Sequence, residues 1–442
     1  MIFKRKIYDK ILQWKHENNG KTALLIEGAR RIGKSTIVEE FAKNEYKSYI
    51  LIDFNKTSEE VKKLFDNLMD LDYIFLFLQT VYKKKLEVRN SLIIFDEVQK
   101  CPNARQAIKY LVQDGRYDYI ETGSLISIKK NVESITIPSE EDRISMYPMD
   151  YEEFCWAVDD NMTFSFIKKY WEDKKSLGDM HREMMRRFRL YMLVGGMPQA
   201  VLAYLETNNF NDVDIAKRRI LKLYEEDLQK IDTSGKLAMM FNSIPGMLAK
   251  NDRRYVTSKV LGNINEELQD DLLQKLDESK IVIVAYHTSD PNVGMSLTKD
   301  KNIFKLFLCD TGLFVTLAFY DKSYTENVIY QKLLSDKLSV NLGYIFENIV
   351  AQLLVSSGNK LFYHTWERDE KHFYEIDFLL SRGNKICPIE VKSSGYKTHA
   401  SLDVFRQKYS QRIGNSYLVY GKDFQKGDNE LMYIPTYMVS LL

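Results

Sequence analysis

The sequence is poor in cysteine and lacks long apolar runs. Its four cysteines lie far apart and form no C-x-x-C pair. We therefore expect neither a disulfide framework nor a zinc site, and a reducing cytoplasm is the predicted location. No apolar stretch reaches about 18 residues, so neither a transmembrane helix nor a membrane partner is expected. The basic first residues are not followed by an apolar segment, which predicts that there is no signal peptide.

The net charge of the chain is also close to zero. The 442 residues include 63 lysines and arginines against 62 aspartates and glutamates, which leaves a net charge of +1. The whole molecule is thus no polycation, and any nucleic-acid surface must be a local patch. An apolar content of 45% is that of an ordinary globular protein. The length predicts roughly two to four domains.

What the chain does have is a phosphate-binding motif at residues 28–36. This segment fits the pattern G-x-x-x-x-G-K-[ST] of nucleotide hydrolases. Its glycines let backbone N–H groups point at an anion, Lys34 can reach the β- and γ-phosphates, and the Ser35 hydroxyl can bind Mg²⁺. The residues predicted to contact ATP in this motif are Gly28, Ala29, Arg30, Arg31, Ile32, Gly33, Lys34, Ser35 and Thr36.

The sequence on either side of the motif agrees with it. Residues 22–27 are a short apolar run typical of a buried strand, and residues 35–42 have apolar side chains at helical spacing. The motif requires this order of strand, loop and helix, and the helix directs its positive N-terminus at the phosphates. A chance glycine-rich turn is the alternative, and the context disfavours it.

A second apolar run, residues 91–97, ends in two acids. Four consecutive apolar residues predict a buried parallel strand, and Asp96 and Glu97 then lie at its carboxyl end, where ligands bind in open α/β sheets. We expect Asp96 to bind Mg²⁺, directly or through water. Glu97 is expected to be the general base or to orient the attacking water. Taken alone, an exposed acidic pair after a strand is the alternative.

Another strand, predicted at residues 117–124, ends in small polar residues. Thr122 or Ser124 can hydrogen-bond the γ-phosphate or the lytic water, and Ser124 is included among the predicted ATP contacts. A routine loop is the alternative reading of this turn.

The middle of the chain is predicted to be mostly helical from residue 151 to residue 230. Residues 236–320 then follow the order helix, turn, helix and two strands, which is typical of a winged helix. The helix that would enter DNA, residues 266–275, is acidic and would repel phosphates. A winged helix that acts as a spacer between domains is therefore favoured over one that binds DNA.

The C-terminal part carries charged residues in the order D…E-x-K on predicted strands. The alternation of side chains along a strand puts Glu390 and Lys392 on one face, and Asp377 on the paired strand can join them. Glu347 on the preceding helix is a fourth candidate. The carboxylates would bind Mg²⁺, and Lys392 would stabilise a phosphate or orient water. Glu375 is an alternative ligand, and a half-buried hairpin with outward charges is the alternative structure.

The order of these motifs resembles a family of bacterial and archaeal AAA+ ATPases that are fused to a C-terminal domain of unknown function. Residues 147–154, 195–198 and 310–312 are similar to further landmarks of that family. The C-terminal segment resembles the restriction-endonuclease-like PD-(D/E)xK fold. That resemblance implies metal ligands and catalytic residues at Glu347, Asp377, Glu390 and Lys392.

One feature of the family is less clear in this chain. Related chains often have a Gly-Arg pair just before the Tyr-Pro stretch, and this chain has none there. Arg143, Arg116 and Arg105 are the candidates for an arginine finger, which can come from a neighbouring subunit. A homo-oligomer is therefore compatible with the resemblance, and a solvated surface arginine is the alternative for each candidate.

The sequence thus predicts a multidomain α/β protein. The expected parts are a P-loop AAA+ core at 1–160, a helical lid or linker at 161–235, a winged-helix-like part at 236–320 and a nuclease-like α/β domain at 335–442. The first functional hypothesis is Mg²⁺-dependent ATP hydrolysis coupled to a nuclease-like domain that acts on DNA. The second is an ATP-driven switch whose C-terminal domain binds nucleic acid or protein without cutting it.

Overall fold

The structure is a computed structural model that describes residues 1–123, 139–250, 254–321, 330, 333–335, 343–370, 372–393 and 398–442. The chain divides into two compact units. The first consists of Met1–Tyr147 with Glu278–Lys280, and the second of Pro148–Asp277 with Ile281–Leu442. Within the described ranges, no helix is both long enough and apolar enough to cross a bilayer.

The first unit is built on a parallel sheet with helices. Its strands are β1 (Ala23–Glu27), β2 (Ser48–Asp53), β3 (Ser91–Asp96), β4 (Asp118–Gly123) and β5 (Glu141–Ser145). Its helices are α1 (Ile7–Asn18), α2 (Lys34–Glu45), α3 (Glu59–Lys63), α4 (Leu71–Tyr82) and α5 (Pro102–Asp114). The strands predicted at 22–27, 91–97 and 117–124 are present to within one residue at each end.

The order of the strands determines which residues meet at the edge of this sheet. The order is β2-β3-β4-β1-β5, and each neighbouring pair is parallel. Thus β4 lies between the strand that precedes the phosphate-binding loop and the strand that ends in Asp96. Ile26 of β1 lies opposite Thr122 of β4, and Phe95 of β3 lies opposite Glu121. The residues that follow these strands therefore share one edge, as is typical of ligand sites in open α/β sheets.

Continuous burial accounts for the apolar sequences of the central strands. Each residue of β1, β3 and β4 is buried. A parallel sheet is covered on both faces, so its strands read as unbroken apolar runs instead of alternating ones. Phe54, Phe65 and Phe95 meet edge to face in the same core.

The second unit begins with a run of helices. They are α6 (Tyr151–Ala157), α7 (Thr163–Asp173), α8 (Met180–Val194), α9 (Pro198–Thr207), α10 (Phe210–Ile231), α11 (Lys236–Leu248), α12 (Ser258–Leu261) and α13 (Glu266–Ser279). A capping box begins α6, because Asp150 and Glu153 each accept a hydrogen bond from the other's backbone N–H. The helical character predicted for residues 151–230 is thus observed.

An eight-stranded sheet forms the rest of this unit. Its strands are β6 (Val282–Thr288), β7 (Lys299–Leu308), β8 (Phe362–Asp369), β9 (His372–Arg382), β10 (Lys385–Lys392), β11 (Ser416–Tyr420), β12 (Gln425–Lys426) and β13 (Leu431–Pro435). The helices that accompany it are α14 (Thr311–Ala318), α15 (Gly343–Ser356) and α16 (Ala400–Lys408). The strand order is β12-β13-β11-β10-β9-β8-β6-β7.

The strands predicted for a winged helix belong to this larger sheet. β6 and β7 form an antiparallel pair, and β6 also pairs in parallel with β8 through Tyr286 and His287. The strands β6 and β7 are therefore parts of the same hydrogen-bonded sheet as β8 to β13. The winged helix and the domain boundaries stay predictions.

Two landmarks that lie far apart in the sequence pack against each other in this unit. Asp310 is fully buried and accepts hydrogen bonds from the backbone N–H groups of Gly196 (2.5 Å) and Leu313 (2.8 Å). A Cβ atom on Gly195 would lie 2.4 Å from Oδ1 of Asp310, and one on Gly312 would lie 2.7 Å from the Gly195 backbone. Glycine is required at both positions because the two turns approach each other so closely.

Candidate functional site

The phosphate-binding loop connects β1 to α2. Gly28 has a φ of 156°, and Gly33, which directly precedes α2, has a φ of 96°. Both values lie in the region that favours glycine. Gly28 also has no space for a side chain, since a Cβ atom there would lie 2.3 Å from the carbonyl oxygen of Met146. Both glycines of the motif are thus required by the backbone of the loop.

Lys34 is the first residue of α2 and its side chain is buried. Its Nζ donates to the backbone carbonyl oxygens of Gly28 (2.9 Å) and Ala29 (2.8 Å). Burial lowers the pKa of Lys34 to about 8, against the opposing effect of the negative charges of Glu97 and Asp96. An ammonium group enclosed by the loop is suited to an anion with several charges, such as a triphosphate.

Asp96 is the centre of a group of oxygen atoms at the carboxyl edge of the sheet. Its Oδ1 accepts hydrogen bonds from Ser35 Oγ (2.6 Å) and from Thr122 Oγ1. These are oxygen ligands of the kind that Mg²⁺ takes in proteins. Of the two polar residues predicted at the end of β4, Thr122 thus contacts Asp96, and Ser124 lies outside the described residues.

Glu97 follows β3 directly and has a strained backbone. Its φ of 55° and ψ of 46° are left-handed, which is uncommon for a residue with a side chain. Such conformations cost about 1–3 kcal/mol and cluster at functional sites. Oε2 of Glu97 accepts a hydrogen bond from Nε2 of Gln99 at 2.5 Å. The side chain is partly exposed at the edge that carries Asp96.

The other side chains of the motif differ in exposure. Those of Arg30, Arg31 and Thr36 are exposed, and those of Ala29 and Ile32 are buried. A phosphate-binding loop acts mainly through its backbone N–H groups, so the buried apolar residues fix the path of the loop.

Arg5 is a contact of the loop that sequence reasoning missed. It is buried, and Nη1 donates to the carbonyl oxygen of Ile32 at 2.9 Å. Nη2 donates to the carbonyl oxygen of Tyr147 at 2.6 Å. Arg5 precedes α1 in a basic stretch, and no spacing relates it to residues 28–36, so the sequence carries no signal for this contact.

The candidate arginine fingers are all engaged in ion pairs. Arg105 is 1% exposed and lies between Glu121 (3.3 Å) and Glu141 (2.8 Å). Arg143 also pairs with Glu141. Arg116 pairs with Asp114 at the end of α5 and with Asp72 at the start of α4. Burial raises the pKa of Glu121 to about 8, which Arg105 partly opposes. Arg105 is therefore a structural cation of the first unit.

A second group of charged residues lies in the second unit. We call Glu347, Glu375 and Asp377 the carboxylate cluster; one oxygen atom of each lies within 4.8 Å of the others. Glu347 comes from α15, and Glu375 and Asp377 are two residues apart on β9, which places them on one face. The structure thus brings together two of the predicted metal ligands and the alternative ligand Glu375.

A lysine that sequence reasoning missed lies in the carboxylate cluster. Nζ of Lys305, on β7, is 2.8 Å from Glu347, 2.5 Å from Glu375 and 3.8 Å from Asp377. Lys305 is 0% exposed. Burial alone would lower its pKa, but the three carboxylates together raise it above its ordinary value.

The remaining predicted residues, Glu390 and Lys392, pair with each other. Oε1 of Glu390 lies 2.7 Å from Nζ of Lys392. Between them, the backbone N–H of Val391 donates to Oδ2 of Asp377 at 2.7 Å. Burial and the nearby Asp377 raise the pKa of Glu390 to about 8.

Polar residues of α15 fix the end of the strand that carries Lys305. Asn348 both accepts from the backbone N–H of Leu308 (2.9 Å) and donates to its carbonyl oxygen (3.3 Å). Gln352 accepts from the backbone N–H of Thr311 at 2.7 Å. The helix that supplies Glu347 thus also contacts the end of β7 and the start of α14.

The loop, its buried lysine and the carboxylate at the end of β3 define a P-loop nucleotide site. A family model described as an AAA domain matches residues 20–155. This part of the chain is therefore similar to ATPase domains of the AAA type. Two further family models are each described as a domain of unknown function: DUF8612 matches residues 185–324, and DUF4143 matches residues 342–438. The restriction-endonuclease-like fold stays a prediction.

Similarity to individual proteins is low. No curated protein matches the chain. The Walker-type ATPase paby2304 of Pyrococcus abyssi has 16% identity and a TM-score of 0.41, over 72% of this chain and 96% of that one. PCH-2 of C. elegans has 12% identity and a TM-score of 0.22, over 38% of this chain and 48% of that one. Neither similarity is strong enough to indicate a function.

Proposed function

We propose that the first unit binds ATP with Mg²⁺ and hydrolyses it. The observation that carries the proposal is the 2.6 Å hydrogen bond from Ser35 to Asp96, beside the buried Lys34. It joins a hydroxyl of the phosphate-binding loop to a carboxylate that is 61 residues away in the sequence. Lys34 would bind the β- and γ-phosphates, and the backbone N–H groups of residues 28–36 would bind the remaining oxygen atoms.

Ser35 and Asp96 are the residues that would hold Mg²⁺. Their contacting atoms are both oxygens, which suits a hard cation, and Asp96 would act directly or through water. When bound, Mg²⁺ supplies charge neutralisation at the β- and γ-phosphates. Thr122 would keep the Asp96 carboxylate in place through its hydrogen bond.

Glu97 would act on the attacking water. Its carboxylate can accept a proton from water or orient it, and the hydrogen bond from Gln99 would fix the direction of the carboxylate. The strained backbone of Glu97 supports this role, because strain persists where a function requires the geometry.

For the C-terminal sheet, we propose that it takes part in an ATP-driven switch and binds nucleic acid or protein without cutting it. The contact of Lys305 with the carboxylate cluster favours this hypothesis over a nuclease, because the cluster already has a cation from the chain. An oligomer in which a neighbouring subunit completes the site stays a prediction.

The test is phosphate release and ATP affinity in three variants. Lys34→Ala should lose ATP binding. Glu97→Gln should keep the wild-type ATP affinity within about twofold but lower kcat by about 10²–10⁴, because general acid–base groups contribute that much. Glu60→Gln, the same change at an exposed glutamate of α3, is the matched control and should behave as the wild type. A wild-type rate in Glu97→Gln would overturn the role of Glu97, and wild-type ATP binding in Lys34→Ala would overturn the site.

A further inference from the structure

We propose that Lys305 is a built-in cation that occupies the place of a divalent metal in the carboxylate cluster, so that the C-terminal sheet binds no metal there and cleaves no DNA. The proposal does not depend on the ATPase site. It concerns only β7, β9 and α15 of the second unit.

The three carboxylates of the cluster lie close enough together to share one cation. One oxygen atom from each of Glu347, Glu375 and Asp377 lies within 4.8 Å of the others. A divalent ion needs oxygen ligands at about 2.0–2.6 Å, so it would have to lie between these three atoms. Nζ of Lys305 already lies there, at hydrogen-bond distance from Glu347 and Glu375. The ion and the ammonium group therefore exclude each other.

The surroundings of Lys305 hold its ammonium group in the carboxylate cluster. Its side chain is 0% exposed, and its Nζ lies 5.0 Å from the centre of the Tyr363 ring. On the helix that supplies Glu347, Asn348 accepts from the backbone of Leu308 at the end of β7, and Gln352 accepts from that of Thr311 at the start of α14. Moving a buried ammonium group away from its carboxylates is strongly unfavourable unless it reaches water or another acid.

The other predicted ligands also have partners in the chain. Glu390 forms an ion pair with Lys392. Asp377 accepts a hydrogen bond from the backbone N–H of Val391. A nuclease of the predicted kind would need Asp377 and Glu390 to share a metal. Among the described residues, the three carboxylates that lie within 4.8 Å of one another are those of Asp377, Glu347 and Glu375, and Glu390 is not part of that group.

The test is the number of Mn²⁺ ions that the full chain binds without nucleotide, measured by electron paramagnetic resonance. The wild type and Asp377→Asn should bind the same number of Mn²⁺ ions. Lys305→Met should bind about one further Mn²⁺ per chain, because the cluster then has three carboxylates and no ammonium group. The double variant Lys305→Met with Asp377→Asn should lose that ion. Mn²⁺ at Ser35 and Asp96 would contribute equally to all four proteins.

A matched control is available on the same strand. Lys301 of β7 is exposed, so Lys301→Met should leave Mn²⁺ binding at the wild-type level. An Mn²⁺ ion that the wild type binds and Asp377→Asn loses would overturn the proposal. That comparison keeps Lys305 in place, and it decides the question even if Lys305→Met does not fold. Cleavage of plasmid DNA by the wild type with Mg²⁺ or Mn²⁺, abolished in Asp377→Asn, would overturn it as well.

Discussion

The guanidinium group of Arg5 donates a hydrogen bond to the carbonyl oxygen of Ile32, in the middle of the phosphate-binding loop, at 2.9 Å. The same group donates to the carbonyl oxygen of Tyr147, which follows β5. One buried side chain from before α1 thus joins the loop to a segment more than a hundred residues further along the chain. It fixes the loop without being part of the motif.

Arg5→Met should weaken ATP binding. Loss of hydrogen bonds from a charged donor costs about 1.5–3 kcal/mol each, and we expect part of that cost to appear as an affinity loss of about tenfold. Titration calorimetry with ATP and Mg²⁺ measures it. Lys10→Met changes an exposed cation of α1 and should leave the affinity unchanged. Equal affinities in both variants would show that Arg5 does not position the loop.

Lys34 predicts a pH dependence of ATP binding. Burial lowers its pKa from 10.5 to about 8 in the folded chain. The ammonium group is therefore lost as the pH rises through about 8, and the ATP affinity should fall by up to about tenfold per pH unit above that value. The same shift makes charged Lys34 unfavourable for folding below about pH 8, and this penalty disappears as the pH rises towards 10.5.

Binding titrations from about pH 7 to about pH 9.5 measure this effect, since the range covers the lowered pKa. Lys34→Arg is the matched control, because arginine keeps its charge over the whole range. Its affinity is expected to be lower than that of the wild type but independent of pH. A wild-type affinity that stays constant up to about pH 9.5 would contradict the lowered pKa.

Arg105→Met should destabilise the first unit strongly. It leaves the buried carboxylate of Glu141 without this cation, and breaking a buried ion pair costs about 3–5 kcal/mol. Glu121 loses its contact with the same guanidinium group. Arg116→Met is the control, since Arg116 pairs at the surface, where an ion pair contributes about 0–1 kcal/mol. Urea unfolding of both variants gives the free energies. Equal losses would mean that the Arg105 network does not stabilise the fold.

Gly195→Ala and Gly262→Ala separate steric exclusion from backbone strain. Both glycines have a positive φ (83° and 71°) with a ψ near 180° (−176° and −164°), a conformation essentially restricted to glycine, so alanine costs about 1–3 kcal/mol at each. At Gly262 a Cβ atom meets nothing within 4 Å, whereas at Gly195 it lies 2.4 Å from Oδ1 of Asp310. We expect Gly195→Ala to cost a further amount of about 1–3 kcal/mol, because overpacking adds that much. Similar unfolding free energies for the two variants would refute the close approach at Asp310.

Local patterns predicted the nucleotide site because each signal occupies a few contiguous residues. The run Leu92-Ile93-Ile94-Phe95 predicted a buried strand, and the strand ends at Asp96 as expected. The strand order could not be predicted in this way. β4 follows β1 and β3 in the sequence but lies between them in the sheet, and that position is what brings Thr122 to Asp96.

Lys305 illustrates what such patterns miss. It lies within the apolar end of β7, between Phe304 and Leu306, and in the sequence it looks like the charged residue of an ordinary strand. Its partners Glu347 and Glu375 are 42 and 70 residues further along the chain, and no spacing rule connects them. The E-x-K spacing did place Glu390 and Lys392 on one face, but there they pair with each other. Alternation along β9 accounts for Glu375 and Asp377, which share one face, but the packing of α15 and the order of the strands decide that Glu347 and Lys305 join them.

The pairing of β6 with β8 has a consequence for how this chain was inherited. β6 belongs to the region that matches one family of unknown function, and β8 belongs to the region that matches another. The ion pair between Lys305 and Glu347 also joins these two regions. A gene that acquired only one of the two regions would encode an open sheet edge and a buried charge without its counter-ion. We therefore expect the two regions to be inherited together as one unit, to which the ATPase domain is joined.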